Sequence, residues 1–140
     1  YTDWTVGHVH SGTLGWVAMI IFGAIYTLVP QLSGKTGMAS PRAVEWHFWL
    51  AVTGTLIYVV SMWNAGITQG LMWRAYDENG ALSYSFVQSV EAMAPYYLLR
   101  TIGGGLFLTG AAFCAWNCRA TMRKATGQAT DRPLVTQPVE

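Results

Sequence analysis

Three long stretches of this chain carry no formal charge. There is no Asp, Glu, Lys or Arg between Asp3 and Lys35, between Glu45 and Arg74, or from Thr101 to Cys118, and eight further uncharged residues precede Arg100. A helix needs about 20 mostly apolar residues to cross the hydrocarbon core of a bilayer, so each stretch suffices for one crossing. Strands are a poor alternative, because a hairpin in lipid leaves its edge N–H and C=O groups unpaired. Composition agrees: 52% of residues are hydrophobic and 11% charged, against roughly 25% charged in ordinary globular domains. The fold class is therefore all-α, an integral membrane helical bundle. Three transmembrane helices are expected near residues 5–30, 45–70 and 94–120, within a membrane part spanning 1–124, followed by a polar cytoplasmic tail at 125–140.

Prolines and turn residues punctuate this pattern. Pro30 is expected to close the first helix and Pro95 to sit in the first turn of the third. QLSGKTGMASPRAVE reads as a turn-rich loop, and the longer link after Leu71 carries a turn signal at Glu78-Asn79-Gly80. Trp46, Trp49, Trp63, Trp73, Tyr96, Tyr97 and Trp116 are read as interfacial aromatics near the ends of spans. The chain begins at Tyr1 and shows no signal-peptide pattern, so the N-terminal part of a longer protein is expected to precede it.

Orientation comes from the basic residues. With three spans, the first loop (Lys35, Arg42) and the tail (Arg119, Arg123, Lys124, Arg132) share a side and hold six of the eight Lys and Arg residues. That side is expected to be cytoplasmic, which leaves the N-terminus facing outward. A net charge of +1 gives no reason to expect a nucleic-acid partner.

The chemistry concentrates in GHVH, residues 7–10. On a helix a two-residue step turns about 200° and rises about 3 Å, so His8 and His10 point to opposite sides and cannot easily share one metal. Each can ligate a different one. Neutral imidazole is an ordinary axial ligand of haem iron, and Gly7, Ser11, Gly12 and Gly15 keep the His8 side small enough for a flat porphyrin to approach. The pattern alone leaves open a hydrogen-bonded packing role or a proton relay, since ionisable groups inside membranes default to functional hypotheses.

Longer runs narrow this. YTDWTVGHVHSGTLGW, FGAIYTLVPQL, WHFWLAVTGTLIYVVSMWNAGITQGLMWRAYDENG and APYYLLRTIGGGLFLTGA resemble, in order, the closing part of subunit I of haem–copper oxidases, most closely the cbb3-type cytochrome c oxidases. The resemblance runs to about residue 124 and implies the last three helices of a twelve-helix catalytic subunit. It implies that His8 is the proximal ligand of a high-spin haem, where O2 binds, and that His10 is one axial ligand of a low-spin haem b. Two haem b groups are thus implied, with copper whose histidine ligands lie upstream. The redox-active tyrosine and the second low-spin ligand are also outside this stretch. The family reduces O2 to water with cytochrome c electrons and moves protons across the bacterial inner membrane. The implied partners are the remaining helices of the subunit, membrane-bound c-type cytochrome subunits and the bilayer. The fragment alone is not expected to be active. Nitric oxide reductase, a relative with the same HxH helix, is the runner-up, and a haem-free structural or proton-conducting bundle is the alternative of a different class.

Other residues carry weaker expectations. Trp73 and Arg74, placed level with the histidines, are either an interfacial anchor or a site for anionic haem propionates; the resemblance favours the second, and Arg can bind a carboxylate through two parallel bonds. Asp3 is read first as a cap or solvated carboxylate, with a propionate network as the other reading. Arg100 needs a partner, with a propionate or Glu91 as candidates. His47 is expected to be an interfacial residue beside Trp46 and Trp49 and not a haem ligand. Thr53, Thr55, Tyr58 and Ser61 read as polar glue between helices. Cys114 and Cys118, one turn apart, read as small buried residues.

Overall fold

The computed structural model describes residues 2–126, and among these there are helices and loops but no strand beyond one isolated bridge between Tyr76 and Leu82. Among the described residues three helices are long and apolar enough to cross a membrane: α1 (Asp3–Leu32), α2 (Pro41–Met72) and α3 (Phe86–Thr126). The expected three spans are all present, but both later helices start earlier than expected and the last one ends later. α2 starts at Pro41 because Ser40 caps it, its side chain accepting from the Ala43 N–H at 3.3 Å with Pro41 in the first turn. α3 starts at Phe86, not near 94, because Ser85 and Gln88 cap each other: the Ser85 N–H donates to Gln88 Oε1 at 2.8 Å and the Gln88 N–H to Ser85 Oγ at 3.3 Å. Pro95 consequently lies inside α3 and Pro30 inside the last turns of α1. α3 also continues to Thr126, past the expected start of the tail; the rest of that tail, 127–140, lies outside the described residues. At 1.5 Å per residue, the 41 residues of α3 span roughly 60 Å, about twice the hydrocarbon thickness.

α1 is not uniform. Its α-helical first stretch, Asp3–His10, gives way to a π-wound stretch, Ser11–Ala18, before α-winding resumes over Met19–Leu32. Hydroxyls fold back at the change: Ser11 Oγ donates to the His8 carbonyl at 2.7 Å and Thr13 Oγ1 to the Val9 carbonyl at 3.1 Å. The sequence pattern carries no warning of this.

α2 is the centre of the bundle. Of its most apolar stretch 44% is buried, against 17% for α3 and none for α1, so α1 keeps an unpaired apolar flank that includes Trp16, Ile20, Ile21 and Leu28. α2 and α3 cross with backbones touching. A Cβ added to Gly54 would lie 2.6 Å from the Gly103 carbonyl oxygen, and one added to Gly103 would lie 2.7 Å from that of Gly54. Small residues allow such crossings where lipid offers no hydrophobic incentive to associate. Nearer the histidine pair, Met62, Ala65 and Met93 form a buried cluster flanked by Val6, Tyr58 and Tyr97.

The loops differ in how they are held. Residues 33–40 are sewn onto α3: the Ser40 N–H donates to Asn117 Oδ1 at 2.9 Å, Asn117 Nδ2 to the Ser40 carbonyl at 2.8 Å, and the Ala39 N–H to Thr121 Oγ1 at 2.9 Å. Lys35 Nζ adds a bond to the Thr121 carbonyl at 2.8 Å. The link after α2 folds on itself, with Asp77 Oδ1 accepting from the Asn79 and Ala81 N–H groups and Gly80 at φ 77°, at the expected turn.

Candidate functional site

The two histidines of GHVH lie on opposite sides of the α-helical head of α1. That head lies flush on α2 because of two glycines. A Cβ on Gly7 would lie 2.7 Å from Trp63 Cδ1, and one on Gly66 would collide with the backbone of Trp4. Trp63 is thus an inter-helix contact rather than an interfacial aromatic. His10 faces α2. Its Nδ1 lies 2.8 Å from the Val6 carbonyl, and its ring packs on Tyr58 with centroids 4.6 Å apart and planes tilted by 32°. A carbonyl only accepts, so Nδ1 carries the proton and Nε2 keeps its lone pair. The Tyr58 hydroxyl lies at a long 3.4 Å from that nitrogen. His8 points away from α2. Its exposed ring stacks on Trp4 with centroids 5.3 Å apart and planes within 7°, and among the described residues its ring nitrogens have no hydrogen-bond partner. Nothing approaches within 4 Å of a Cβ placed on Gly12, one turn along from His8.

These features bear on whether a haem fits. Among the described residues no group of three His, Cys, Asp or Glu side chains could hold a metal on its own. Two histidines acting singly match axial ligation, in which a porphyrin fills the other positions. His10 has its proton held on its own helix and its Nε2 lone pair met only by the long Tyr58 contact, an arrangement compatible with a ligating imidazole. His8 has an unpaired ring and open space along its side of the helix. Both fit the group.

Trp73 and Arg74 are not level with the pair. Asp3 lies opposite Gln69 and Gly7 opposite Met62. Trp73 therefore stands about 16 Å beyond the level of Gly7 at 1.5 Å per residue. Trp73 caps α2 through its N–H to the Gln69 carbonyl at 2.9 Å, and Arg74 is exposed. Only a group reaching outward from the histidines can meet Arg74.

Asp3 is neither a cap nor a solvated carboxylate. Thr2 is the N-cap residue of α1, and Asp3 ties three helices together. Its N–H donates to Gln69 Oε1 at 2.8 Å; its Oδ2 accepts from Gln69 Nε2 at 3.0 Å and from the Tyr97 hydroxyl at 2.9 Å. Arg100 lies over the Tyr97 ring, 4.8 Å from its centroid, and pairs with no carboxylate among the described residues, so Glu91 is not its partner. The neighbourhood of Gln69 and Tyr97 is not legible in the sequence, because neither residue type announces a site without its neighbours.

His47 departs furthest from expectation. It is 2% exposed, not interfacial, while Trp46 and Trp49 do face outward. It belongs to the buried stripe Ala43, His47, Ala51 and Gly54, whose three- and four-residue spacing was the available signal. Cys114 is buried as expected and Cys118 partly so. Of the proposed polar glue, Ser61 bonds only to its own helix, at the Tyr58 carbonyl, and the buried Thr55 hydroxyl has no partner.

A bundle of membrane-length helices defines a class, the helical membrane proteins, here with two singly acting histidines on opposite sides of one helix. Comparison with known proteins narrows it. The family described as cytochrome c and quinol oxidase polypeptide I matches residues 1–106, and the chain belongs to that family, the haem–copper oxidase subunit I proteins. The chain is 51% identical over its whole length to the bacteroid cytochrome c oxidase subunit 1 homolog of Bradyrhizobium diazoefficiens, covering 25% of that protein. It is 52% identical over 125 residues, 89% of the chain and 26% of the relative, to the cbb3-type cytochrome c oxidase subunit CcoN1 of Stutzerimonas stutzeri. A nitric oxide reductase subunit of the same organism is 29% identical over 109 residues, 76% of the chain and 23% of that protein. The chain spans about a quarter of the length of the curated relatives it matches.

Proposed function

We propose that this chain is the closing part of the catalytic subunit of a cbb3-type terminal oxidase, reducing O2 to water with cytochrome c electrons and coupling this to proton translocation. His8 is the axial ligand of a high-spin haem and His10 of a low-spin haem b. The observation that carries the reading is the opposed pair itself, with His10 held at Nδ1 by Val6 and His8 free on the other side. Bound haem supplies electron transfer and O2 reduction; the protein holds each ring at a set angle and separation. Val6 fixes the His10 tautomer, Tyr58 supports its ring, and Trp4 fixes the plane of His8. Arg74, with Trp73 beside it, would take up propionates reaching outward from either site. Copper, its ligands and the second low-spin ligand belong to the remaining helices, and c-type cytochrome subunits are the electron-donating partners. The N-terminus of this stretch faces the periplasmic side of the bacterial inner membrane in this reading, which the basic residues of the first loop and the tail support. The oxidase reading is preferred over nitric oxide reductase on the difference between 52% and 29% identity.

The test is a reduced-minus-oxidised spectrum and a CO-difference spectrum of the full-length subunit. His10→Ala is expected to remove the low-spin haem b signal, and His8→Ala the CO-reactive high-spin signal. Retention of both signals in both variants would make the histidines structural and defeat the assignment.

A further inference from the structure

The outer half of the bundle holds one cation that the fold turns inward and leaves without an anion. Along α3 the covered positions are Met93, Tyr96, Tyr97, Arg100 and Gly103, while Leu98, Leu99 and Ile102 between them are exposed. Arg100 therefore lies on the stripe that faces the other helices, as three- and four-residue spacing dictates. Its guanidinium rests over the Tyr97 ring, 4.8 Å from the centroid. A ring face attracts a cation, but it gives the guanidinium N–H groups no carboxylate to grip. No carboxylate pairs with Arg100 among the described residues. Asp3 is occupied by Gln69 and Tyr97. Glu91 lies further out on α3, about 14 Å along the axis at 1.5 Å per residue. An arginine inside a bilayer is costly unless it has a partner.

Contacts on either side of Arg100 set its level. One turn before it, the Tyr97 hydroxyl donates to Asp3 of α1. One turn after it, Gly103 meets the backbone of α2, where an added Cβ would lie 2.8 Å from the Tyr58 nitrogen, and the Tyr58 ring packs on His10. Arg100 is thus bracketed between the level of Asp3 and that of His10. The side is set as well. Asp3, Val6, Gly7 and His10 are the covered residues of the α-wound head, and His8 is exposed on the other side. Asp3 and His10 fall within about 20° of each other around the helix and about 10 Å apart along it. The interval of α3 from Tyr97 to Gly103 therefore lies on the His10 side of α1, just outward of the imidazole.

We propose that Arg100 is a carboxylate-binding site serving the low-spin haem at His10, its guanidinium pairing with a propionate. The inference rests on the haem reading of His10. Ionised carboxylates turn to the nearer aqueous end, which here is the outer one, and so toward the interval that Arg100 occupies. The guanidinium takes a carboxylate through two parallel N–H···O bonds. Tyr97, anchored through its hydroxyl at Asp3, backs the guanidinium with its ring. The contact is an ion pair, in which no bond breaks and no proton moves. A fixed positive charge beside this haem favours its less positive, reduced state and so raises its midpoint potential.

Two readouts on the assembled full-length oxidase test this: a redox titration followed at the low-spin haem band, and reduced-minus-oxidised infrared spectra of enzyme whose haem propionates carry carbon-13 carboxyls. Arg100→Gln is expected to lower the low-spin midpoint and shift a labelled carboxylate band. Arg100→Lys, which keeps the charge but not the paired bonds, is expected to restore most of the midpoint and still shift the band. A labelled band unmoved in both variants would overturn the proposal, whatever the midpoint does. Should Arg100→Gln fail to assemble, Arg100→Lys decides on the band alone, a shift supporting the site and its absence overturning it. Failure of the haem reading shows itself separately, as a low-spin signal that survives His10→Ala.

Discussion

At the head of α1, His8 holds an exposed ring against Trp4, and neither ring nitrogen is bonded among the described residues; near the other end of the same helix, His47 of α2 is shut between Phe22, Tyr26 and α3. The first region is a surface prepared for something the chain does not itself contain. The second is completed by the chain's own three helices. Interfaces follow the same division. The closed region has a backbone crossing at Gly54 and Gly103 and a loop bonded to Asn117 and Thr121. The open region has one three-helix node, at Asp3, and much apolar surface without a partner. A residue's exposure in this chain thus reports whether its partner is local or belongs to the rest of the subunit.

The most damaging way to break this contrast is at the crossing. Gly54→Val should drive α2 and α3 apart and abolish accumulation of the assembled subunit, seen as loss of both haem signals together, because overpacking against backbone has no flexible neighbour to yield. Asn117→Ala comes next. It strands the Ser40 N–H and carbonyl and should cost about 2–6 kcal/mol, at about 1–3 kcal/mol for each orphan, read as a lower thermal midpoint with unchanged haem spectra. Gly66→Ala should act on the open side only. By displacing Trp4 it is expected to perturb the CO-reactive signal assigned to His8 while sparing the low-spin signal; equal effects on both would show the two sides of α1 to be coupled. The smallest effect belongs to Asp3→Asn, which keeps the bond to Gln69 Oε1 through its N–H but weakens the Tyr97 bond to a neutral one. A midpoint shift equivalent to about 1 kcal/mol is expected, and Asp3→Ala should exceed it.

The three spans are legible because a bilayer demands uncharged length, and the histidine pair because rotation per residue depends on nothing beyond the helix. The caps at Ser40 and Ser85 are written in S-P and S-x-x-Q, short signals that the nearby prolines outweigh. His47 defies its sequence context for a physical reason: flanking tryptophans mark a membrane interface, yet residues adjacent along a helix point about 100° apart, so outward tryptophans say little about the side chain between them. Asp3, Gln69, Tyr97 and Arg100 meet only after three helices have packed, across separations of 66 and 94 residues, and no local pattern encodes that meeting.

The π-wound stretch at Ser11–Ala18 has a consequence for comparing this chain with its relatives. Each π residue advances the helix by a smaller angle than an α residue, so the stretch works as a rotational gear between the histidine head and Met19–Leu32. It brings the face that carries Phe22 and Tyr26 toward His47 into line with the face that carries His10 toward Tyr58, so both face α2. Restoring α-winding across 11–18 at unchanged length would leave GHVH seated on α2 and turn Tyr26 away from His47, whereas deleting one residue at the same time would largely keep both faces on α2. A one-residue alignment gap in this stretch therefore marks a change of winding more than a change in the pairing of the helices.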